Sequence, residues 1–588
     1  MHYVEGTAAV VQCTSRNISL GVQIDQTLSV HPEIDVFMND ITITNLRNSP
    51  LDCKFILYAS FDFDARQIAN TCYFDSESSL LTFFAADRYV SITCDASVGE
   101  FSVDQSSIAG MDSVFQKAST GTFNSHEYAI GQVSGAISYD FGCIKAQSAI
   151  ERHISLCFAR SLDEVTALAT SISTTKPKNE EAVAWWNRQY AHAQLDIGPS
   201  IVRNVYDRSL MVLRLMTDSE TGGVIAAPEI DADFRSCGGY GFCWPRDGAF
   251  VGHTLDMIGQ HEHARNFYNW ALQVQETSGV WYQRYYVNRQ LAPVWGLVQF
   301  DETGAVVWSI CRHIQLTKDS NYGRKVFSQL VQACEYMYAR RDPETGLAPI
   351  TKDLWEERDG ISTYACASTW GGFSELSQVA MMLGETIEAQ RWSSAAADLK
   401  TAIETHLWDV SHQRFLRGLN TKLDLEQRER LRNRPGSSEP DTLEIEIFGK
   451  THYLHRYDDT IDASILGLSV PFGVFPAKDP RMMATADAIA NYLISPGGGI
   501  RRYEDDTYRN GNPWVICTLW LALQDLAAGQ KERAQELYQW VIEHRTSLDL
   551  LPEQVDPVTG KPCWVVPLAW SHAMFILTTR VLLEQGLL

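Results

Sequence analysis

GGGIRRYEDDTYRNGNPWVICTLWLALQDLAAGQKERAQELYQWVIEHR, residues 497–545, contains one full period of the pattern that decides the fold. A long loop rich in glycine and acids runs into an apolar helix near 512–528, and a short turn leads to a second helix near 531–546. In the second helix Ala534, Leu537, Tyr538, Val541 and Ile542 fall on one face at the helical period, so it buries a stripe and leaves the rest wet. The same reading from about residue 200 onward predicts twelve helices, near 201–217, 246–259, 261–277, 302–317, 323–341, 365–383, 387–407, 460–470, 479–495, 512–528, 531–546 and 567–585. Links from an even helix to the next odd one are short, as at Gln260 or Gly384-Glu385-Thr386. Links from odd to even are long: 218–245, 278–301, 342–364, 408–459, 496–511 and 547–566. Short links make antiparallel neighbours. Six such hairpins joined by six long loops predict a closed (α/α)6 barrel, with the even helices inside and the long loops gathered at one end.

Upstream the period changes. All 16 tryptophans lie at or after Trp185. Before it the chain reads as short alternating strands: Val36 to Asn45 (VFMNDITITN), Asp52 to Phe63, Tyr89 to Cys94, and Gln147 to Ala159. These β-branched and aromatic runs, broken by Asn, Asp, Ser and Gly, predict an antiparallel β-sandwich. SISTTKPKNEEAVAWWNRQ then reads as a polar linker running into a helix. A chain of 588 residues exceeds what one core usually supports. The expected organisation is therefore a β-sandwich domain over 1–178, a linker helix over 179–199, and the barrel over 200–588.

A formal net charge of -23 disfavours nucleic acid and anionic membrane as partners and suits a neutral substrate. No apolar run approaches the ~20 residues that span a bilayer. The opening MHYVEGTAAVVQ has no basic region followed by an apolar stretch, so a cytoplasmic location is expected. The 13 cysteines are odd in number and lack any CxxC pair, which argues for free thiols rather than a zinc site or a disulfide framework. No metal cage and no required cofactor are read from the residues.

The long loops carry the chemistry. The first ends in Cys243-Trp244-Pro245 and runs into Arg246-Asp247. The second holds Trp281, Gln283, Arg284, Tyr285, Trp295-Gly296 and Gln299-Phe300-Asp301-Glu302, and the third Asp353-Leu354-Trp355-Glu356-Glu357-Arg358. The fourth ends in Asp458-Asp459, the fifth holds Arg501-Arg502-Tyr503-Glu504-Asp505-Asp506 and Trp514, and the sixth opens with Leu551-Pro552-Glu553-Gln554 and includes Trp564. On one rim these groups make a sugar pocket: aromatic faces stack on apolar sugar faces, carboxylates and arginines bind hydroxyls, and two further carboxyl groups can act as acid and base across a glycosidic bond.

Taken singly, each feature has a plainer reading. A Trp beside a helix start is usually a core staple, and Arg246-Asp247 a cap or a surface ion pair, with Asp247 placed to cap the second helix. Adjacent acids are usually solvated loop charge. Gly497-Gly498-Gly499 is a flexible turn, since no Lys-Ser/Thr follows in P-loop register. His261-Glu262-His263 lacks metalloprotease spacing and reads as a helix start, and Ser571-His572 lies inside the last helix, where neighbours point apart.

At these loops the sequence resembles glycoside hydrolase family 15, the glucoamylases and their bacterial relatives. The pieces that carry the resemblance are GYGFCWPRDGAF, WGLVQFDETGAVVW, DLWEERDG, GGGIRRYEDDTYRNGNPWVICTLWLA, and LPEQVDPVTG followed by LAWSHA. The resemblance implies an inverting, exo-acting α-glucosidase that releases β-glucose from the non-reducing ends of neutral α-glucan oligosaccharides. It implies Glu356 as general acid and Glu553 as general base. Trp244, Arg246, Asp247 and Arg502 (of the pair Arg501-Arg502) would hold the terminal glucose, Trp295, Trp355 and Trp514 would line the pocket, and Glu357 would sit near the adjoining subsite. It also allows a structural calcium ion bound by loop acids, outside the reaction.

Glu356 must stay protonated near neutral pH, so neighbouring carboxylates and a partly dry pocket are expected to raise its pKa. Linkage preference is open among α-1,4 glucans, isomaltose or dextran ends, and trehalose. A disaccharide phosphorylase would need a basic phosphate pocket in place of Glu553, and a non-catalytic carbohydrate-binding protein would not need both glutamates.

Overall fold

The computed structural model describes the chain apart from residues 5, 62, 64–69, 107–112, 199, 230–238 and 434–440, and divides into two compact units, Met1–Ala191 and His192–Leu588. Parts of the first and fourth long links, residue 62 of the second expected strand, and residue 199 of the stretch read as a linker thus lie outside the described residues.

In the first unit the strand Val36–Asn45 forms where the alternation predicts it, with Val36, Met38, Ile41 and Ile43 buried. It belongs to a nine-stranded antiparallel sheet. The spatial order is His2–Tyr3, Val10–Asn17, Val22–Val30, Val36–Asn45, Ala149–Ala159, Arg88–Cys94, Leu80–Ala85, Thr71–Asp75 and Tyr128–Ile130. A second sheet of Leu51–Ala59, Val133–Ile144 and Ser97–Gln105 faces it, and Ile41, Phe83 and Ile92 of one meet Val103, Ile137 and Tyr139 of the other in a single core. This is the expected sandwich. Some strands that sequence reading passed over are polar, such as Val10–Asn17, where exposed Ser, Arg and Asn dilute the alternation, but the buried Leu80–Ala85 and Val133–Ile144 were passed over as well. Three helices accompany the sheets: α1 (Val114–Thr120), α2 (Leu162–Thr175) and α3 (Asn179–Gln189).

The second unit alternates partly and wholly buried helices. In chain order they are α4 (Ile201–Leu215) and α5 (Pro245–Met257), α6 (His261–Val274) and α7 (Phe300–Thr317), α8 (Ser320–Ala339) and α9 (Thr363–Leu383), and α10 (Thr386–His406). A short α11 (Leu425–Arg432) falls inside the fourth long link, and α12 (Pro480–Tyr492), α13 (Val515–Ala528), α14 (Lys531–Glu543) and α15 (Ala569–Glu584) follow. The helix expected at 460–470 is only a 3-10 turn, Ala463–Leu468, because Pro471 bars helical backbone at the residue before it and supplies no N–H of its own.

The inner ring closes: α5 packs on α7, α7 on α9, α9 on the 3-10 turn, that turn on α13, α13 on α15, and α15 back on α5. The chain is an (α/α)6 barrel with an N-terminal β-sandwich unit. Inner helices are buried over most of their length, wholly so along VICTLWLALQDL of α13, whereas α14 buries the face read from its sequence. Gly304 lets α7 approach α9 closely, since a Cβ there would stand 2.5 Å from the Ser368 carbonyl carbon. The N-termini of the inner helices all face the long loops, and there the site forms.

The fourth link contributes a sheet. Strands Gly418–Leu423, Thr442–Ile447 and Lys450–Asp458 join Thr351–Lys352 and Asp359–Ser362, so the third loop's DLWEER turn is a hairpin of that sheet. In the sequence this segment reads only as a long link between helices.

Candidate active site

A cavity of about 340 Å³ opens at the loop end of the barrel. Its wall brings together all ten residues singled out from the sequence: Trp244, Arg246 and Asp247 from the start of α5, Trp295 from the second loop, Trp355, Glu356 and Glu357 from the third, Arg502 and Trp514 from the fifth, and Glu553 from the sixth. Only Trp295 is exposed, at the rim, where the Arg284 guanidinium lies 4.0 Å over its ring. Pro245 occupies the first turn of α5 and Trp244 is the capping residue, so Asp247 lies inside the helix rather than capping it and turns into the pocket. The inner-helix N-termini aim their positive ends at this cluster of acids.

Glu356 sits in the third-loop hairpin with φ 65, the left-handed region that non-glycine residues rarely occupy. Trp244 Nε1–H donates to its Oε1 at 2.6 Å, and Arg246 Nη2 stands 4.0 Å away. Burial raises its pKa, while Arg246 and the Trp244 hydrogen bond pull it back. Of the two causes expected, the dry pocket rather than the neighbouring carboxylates is therefore what chiefly favours the protonated acid.

Glu553 accepts from Tyr240 OH at 2.7 Å on Oε1 and from Gln554 Nε2 at 2.7 Å on Oε2. Burial pushes it up to about 7 against the lowering influence of those two donors and of Arg502. Its backbone is tied to the barrel at both faces, since Glu553 N–H donates to Val565 O and Val515 N–H to Glu553 O. Ser571 and His572, inert as a triad, brace this loop from α15. Ser571 Oγ donates to Pro552 O at 2.8 Å, and Leu551 N–H donates to His572 Nε2 at 3.0 Å. Sequence reading also passed over Tyr240, Tyr508 and Arg509 as wall residues. Tyr240 lies within the GYGFCW motif and could have been flagged as an aromatic hydroxyl beside the pocket.

Two buried cations organise the remaining acids. Arg246 Nη1 bonds Asp301 Oδ2 at 2.9 Å and Glu302 Oε1 at 3.0 Å, and its backbone N–H donates to Glu302. Asp247, 3.6 Å from Arg246, is pushed up to about 7 by burial. Arg502, not Arg501, enters the pocket: Nη2 bonds Glu357 Oε1 at 2.7 Å and Asp506 Oδ1 at 2.7 Å, while Arg501 turns away to Tyr492 O. Tyr503 OH donates to the second Glu357 oxygen. Trp355 and Trp514 stand edge to face at 5.8 Å. The glycine turn before Arg501 is packed rather than loose: Gly498 and Gly499 have φ 82 and 72, and a Cβ at either would strike Trp540.

Among the described residues one group of metal-type side chains lies close together, Asp256, His261 and His313, at the far end of the ring. Both imidazole Nδ1 atoms face Asp256 Oδ1, at 2.9 and 2.8 Å, and Arg265 donates to His313 Nε2 at 3.3 Å. That donation leaves the His313 proton on Nδ1, so the group is a hydrogen-bonded brace. Its nitrogen-rich donors do not suit calcium, which takes oxygen ligands. No described helix is long and apolar enough to cross a membrane, and among the described residues no cysteine is in a disulfide.

The family model for glycosyl hydrolases family 15 matches residues 200–290 and 272–536, together more than half of the chain. The chain belongs to glycosyl hydrolases family 15. It is 26% identical over 568 residues to an uncharacterised glycosyl hydrolase of Methanocaldococcus jannaschii, covering 92% of this chain and 83% of that one. A trehalase of Sulfolobus acidocaldarius is 23% identical over 414 residues, covering 65% of this chain and 64% of its own length. A crystal structure of bacterial glucoamylase complexed with acarbose has the same fold, with a TM-score of 0.77 at 17% identity over 99% of this chain and 85% of that one. This family 15 chain is a glycoside hydrolase acting on O-glycosyl bonds. The family match stops at residue 536, before the Glu553 loop.

Proposed function

We propose that the enzyme is an inverting exo-α-glucosidase that releases β-glucose from the non-reducing ends of α-glucan oligosaccharides. The carrying observation is that Glu356 and Glu553, from separate loops, share the wall of one cavity of about 340 Å³ with Arg246, Asp247 and Arg502. Arg246, Asp247 and Arg502 hold the hydroxyls of the terminal glucose, and the indoles of Trp355 and Trp514 frame its apolar faces. Glu356 donates its proton to the glycosidic oxygen as the C1–O bond breaks. Glu553 takes a proton from the water whose oxygen forms the new bond to C1, on the opposite face of the ring. Burial of Glu553, with Arg246, Asp247 and Arg502 beside it on the same wall, supports a site that holds one terminal sugar.

A second reading, α,α-trehalose as substrate, is favoured by the similarity to the Sulfolobus trehalase over 65% of this chain. Isomaltose and dextran ends require the same first subsite. The test is hydrolysis of maltose, isomaltose and trehalose, with the anomer of released glucose followed by NMR, in the wild type, Glu356→Gln and Glu553→Gln. From maltose and isomaltose the glucose cleaved from the non-reducing end should appear first as β-glucose, from trehalose equal α- and β-glucose should appear, and both variants should lose several orders of magnitude. An α anomer for the cleaved unit, seen as α-glucose alone from trehalose, or activity retained in both variants, refutes the mechanism. Turnover that requires phosphate would assign a phosphorylase instead, and binding without turnover a carbohydrate-binding protein.

A further inference from the structure

We propose that Arg417, contributed by the fourth link and lying outside the cavity wall, is the positioning residue that holds the proton donor in its working conformation. This rests on the assignment of Glu356 as general acid. Arg417 is buried just ahead of strand Gly418–Leu423. Its Nη2 donates to Asp353 Oδ2 at 2.6 Å, and its Nε lies 3.0 Å from Asp462 Oδ2. Each of those carboxylates governs one side of Glu356. Asp353 Oδ1 accepts the backbone N–H groups of Glu357 and Arg358 at 3.0 and 3.2 Å, while Glu356 N–H donates to Asp353 O at 3.0 Å. These bonds close the turn that puts Glu356 at φ 65. Asp462 accepts Trp355 Nε1–H at 3.0 Å and so fixes the indole next to the acid.

One guanidinium therefore clamps the residues on both sides of a backbone conformation that the turn would not otherwise favour. The backbone joins in, because Arg417 N–H donates to Asp458 O and Thr363 N–H, at the start of α9, donates to Arg417 O. The inserted sheet thereby ties the acid hairpin to an inner helix. With Arg417 removed, Asp353 and Asp462 are left as buried carboxylates without their cation, the turn loses its closure, and the Glu356 carboxyl no longer meets the glycosidic oxygen.

A defect confined to proton donation has a chemical signature. A sugar or alcohol leaving group must be protonated as it departs, whereas fluoride leaves without that help. The experiment compares Arg417→Met and Arg417→Lys with the wild type on the disaccharide turned over fastest and on α-glucosyl fluoride, with Glu356→Gln as reference. Arg417→Met is expected to lose about a hundredfold in kcat on the disaccharide, within the range for general-acid catalysis, with KM little changed and fluoride hydrolysis within a few-fold of wild type. Arg417→Lys, which keeps charge but not the two-pronged geometry, should fall between. Equal losses on both substrates, or no loss on either, overturn the proposal. If Arg417→Met does not fold, Arg417→Lys and Asp462→Asn carry the same comparison. A Glu356→Gln variant that loses both substrates equally would overturn the acid assignment itself. A selective Glu356→Gln with unselective Arg417 variants overturns only the role of Arg417.

Discussion

Replacing Arg246 with Met should destabilise the barrel in a way that grows with pH. The guanidinium stands 2.9 Å from Asp301 and 3.0 Å from Glu302, and all three side chains are buried. Burial raises the pKa of both acids, and Arg246 is the foremost influence pulling each back. Breaking a buried pair of this kind costs about 3–5 kcal/mol. The sign of the pH dependence follows from linkage. Without Arg246 the folded state keeps about one additional proton on these carboxyls, while the unfolded chain ionises near pH 4. A folded pKa raised above the unfolded one gives stability that is lost as pH rises, by about 1.4 kcal/mol per unit and per proton. The penalty therefore grows with pH over the range in which the additional proton is held. Calorimetric scans of wild type and variant at pH 5.5 and 8 should show the offset in Tm widening at the higher pH, with glucose release abolished at both. An offset that is the same at pH 5.5 and 8, or smaller at 8, would refute the reasoning.

Three further outcomes are expected. Tyr240→Phe removes a donor that lowers the Glu553 pKa, so the limb of the kcat/KM profile belonging to the base should move to higher pH, and activity at pH 6 should fall more than at pH 8. An unmoved limb would contradict this. His572 is buried and His253 partly buried, and desolvation lowers their pKa values to about 3 and about 4. Their stability contribution is complete above the unfolded value near 6.5 and declines by about 1.4 kcal/mol per unit for each as pH falls below it. Denaturant midpoints between pH 7 and 5 should therefore drop, and His253→Phe should flatten the slope. Gly304→Ala places a Cβ 2.5 Å from the Ser368 carbonyl carbon. It should force α7 from α9 at a cost of about 1–3 kcal/mol or more, read as a lower Tm with the far-UV spectrum preserved.

Much of this was legible along the chain because the information is local. Helical period, short even-to-odd links and the aromatic and acidic content of six loops are properties of neighbouring residues, and they predicted eleven of the twelve barrel helices to within a few positions. The one departure is at 460–470, where Pro471 confines the segment to the 3-10 turn Ala463–Leu468. The sheet inserted in the fourth link was invisible, because Gly418–Leu423 pairs with Asp359–Ser362, about sixty residues earlier, and no local pattern announces such a partner.

The amino-acid order by itself determined the architecture and nominated the pocket's side chains, since burying one face of each helix while wetting the loops leaves a closed ring as the natural solution. Tertiary structure alone decided that burial outweighs acid neighbours in raising Glu356, that Tyr240 tempers Glu553, and that Arg417 braces the acid turn. Each of these depends on distances of a few ångströms between residues far apart in sequence. Desolvation and charge coupling arise only once the chain has enclosed them.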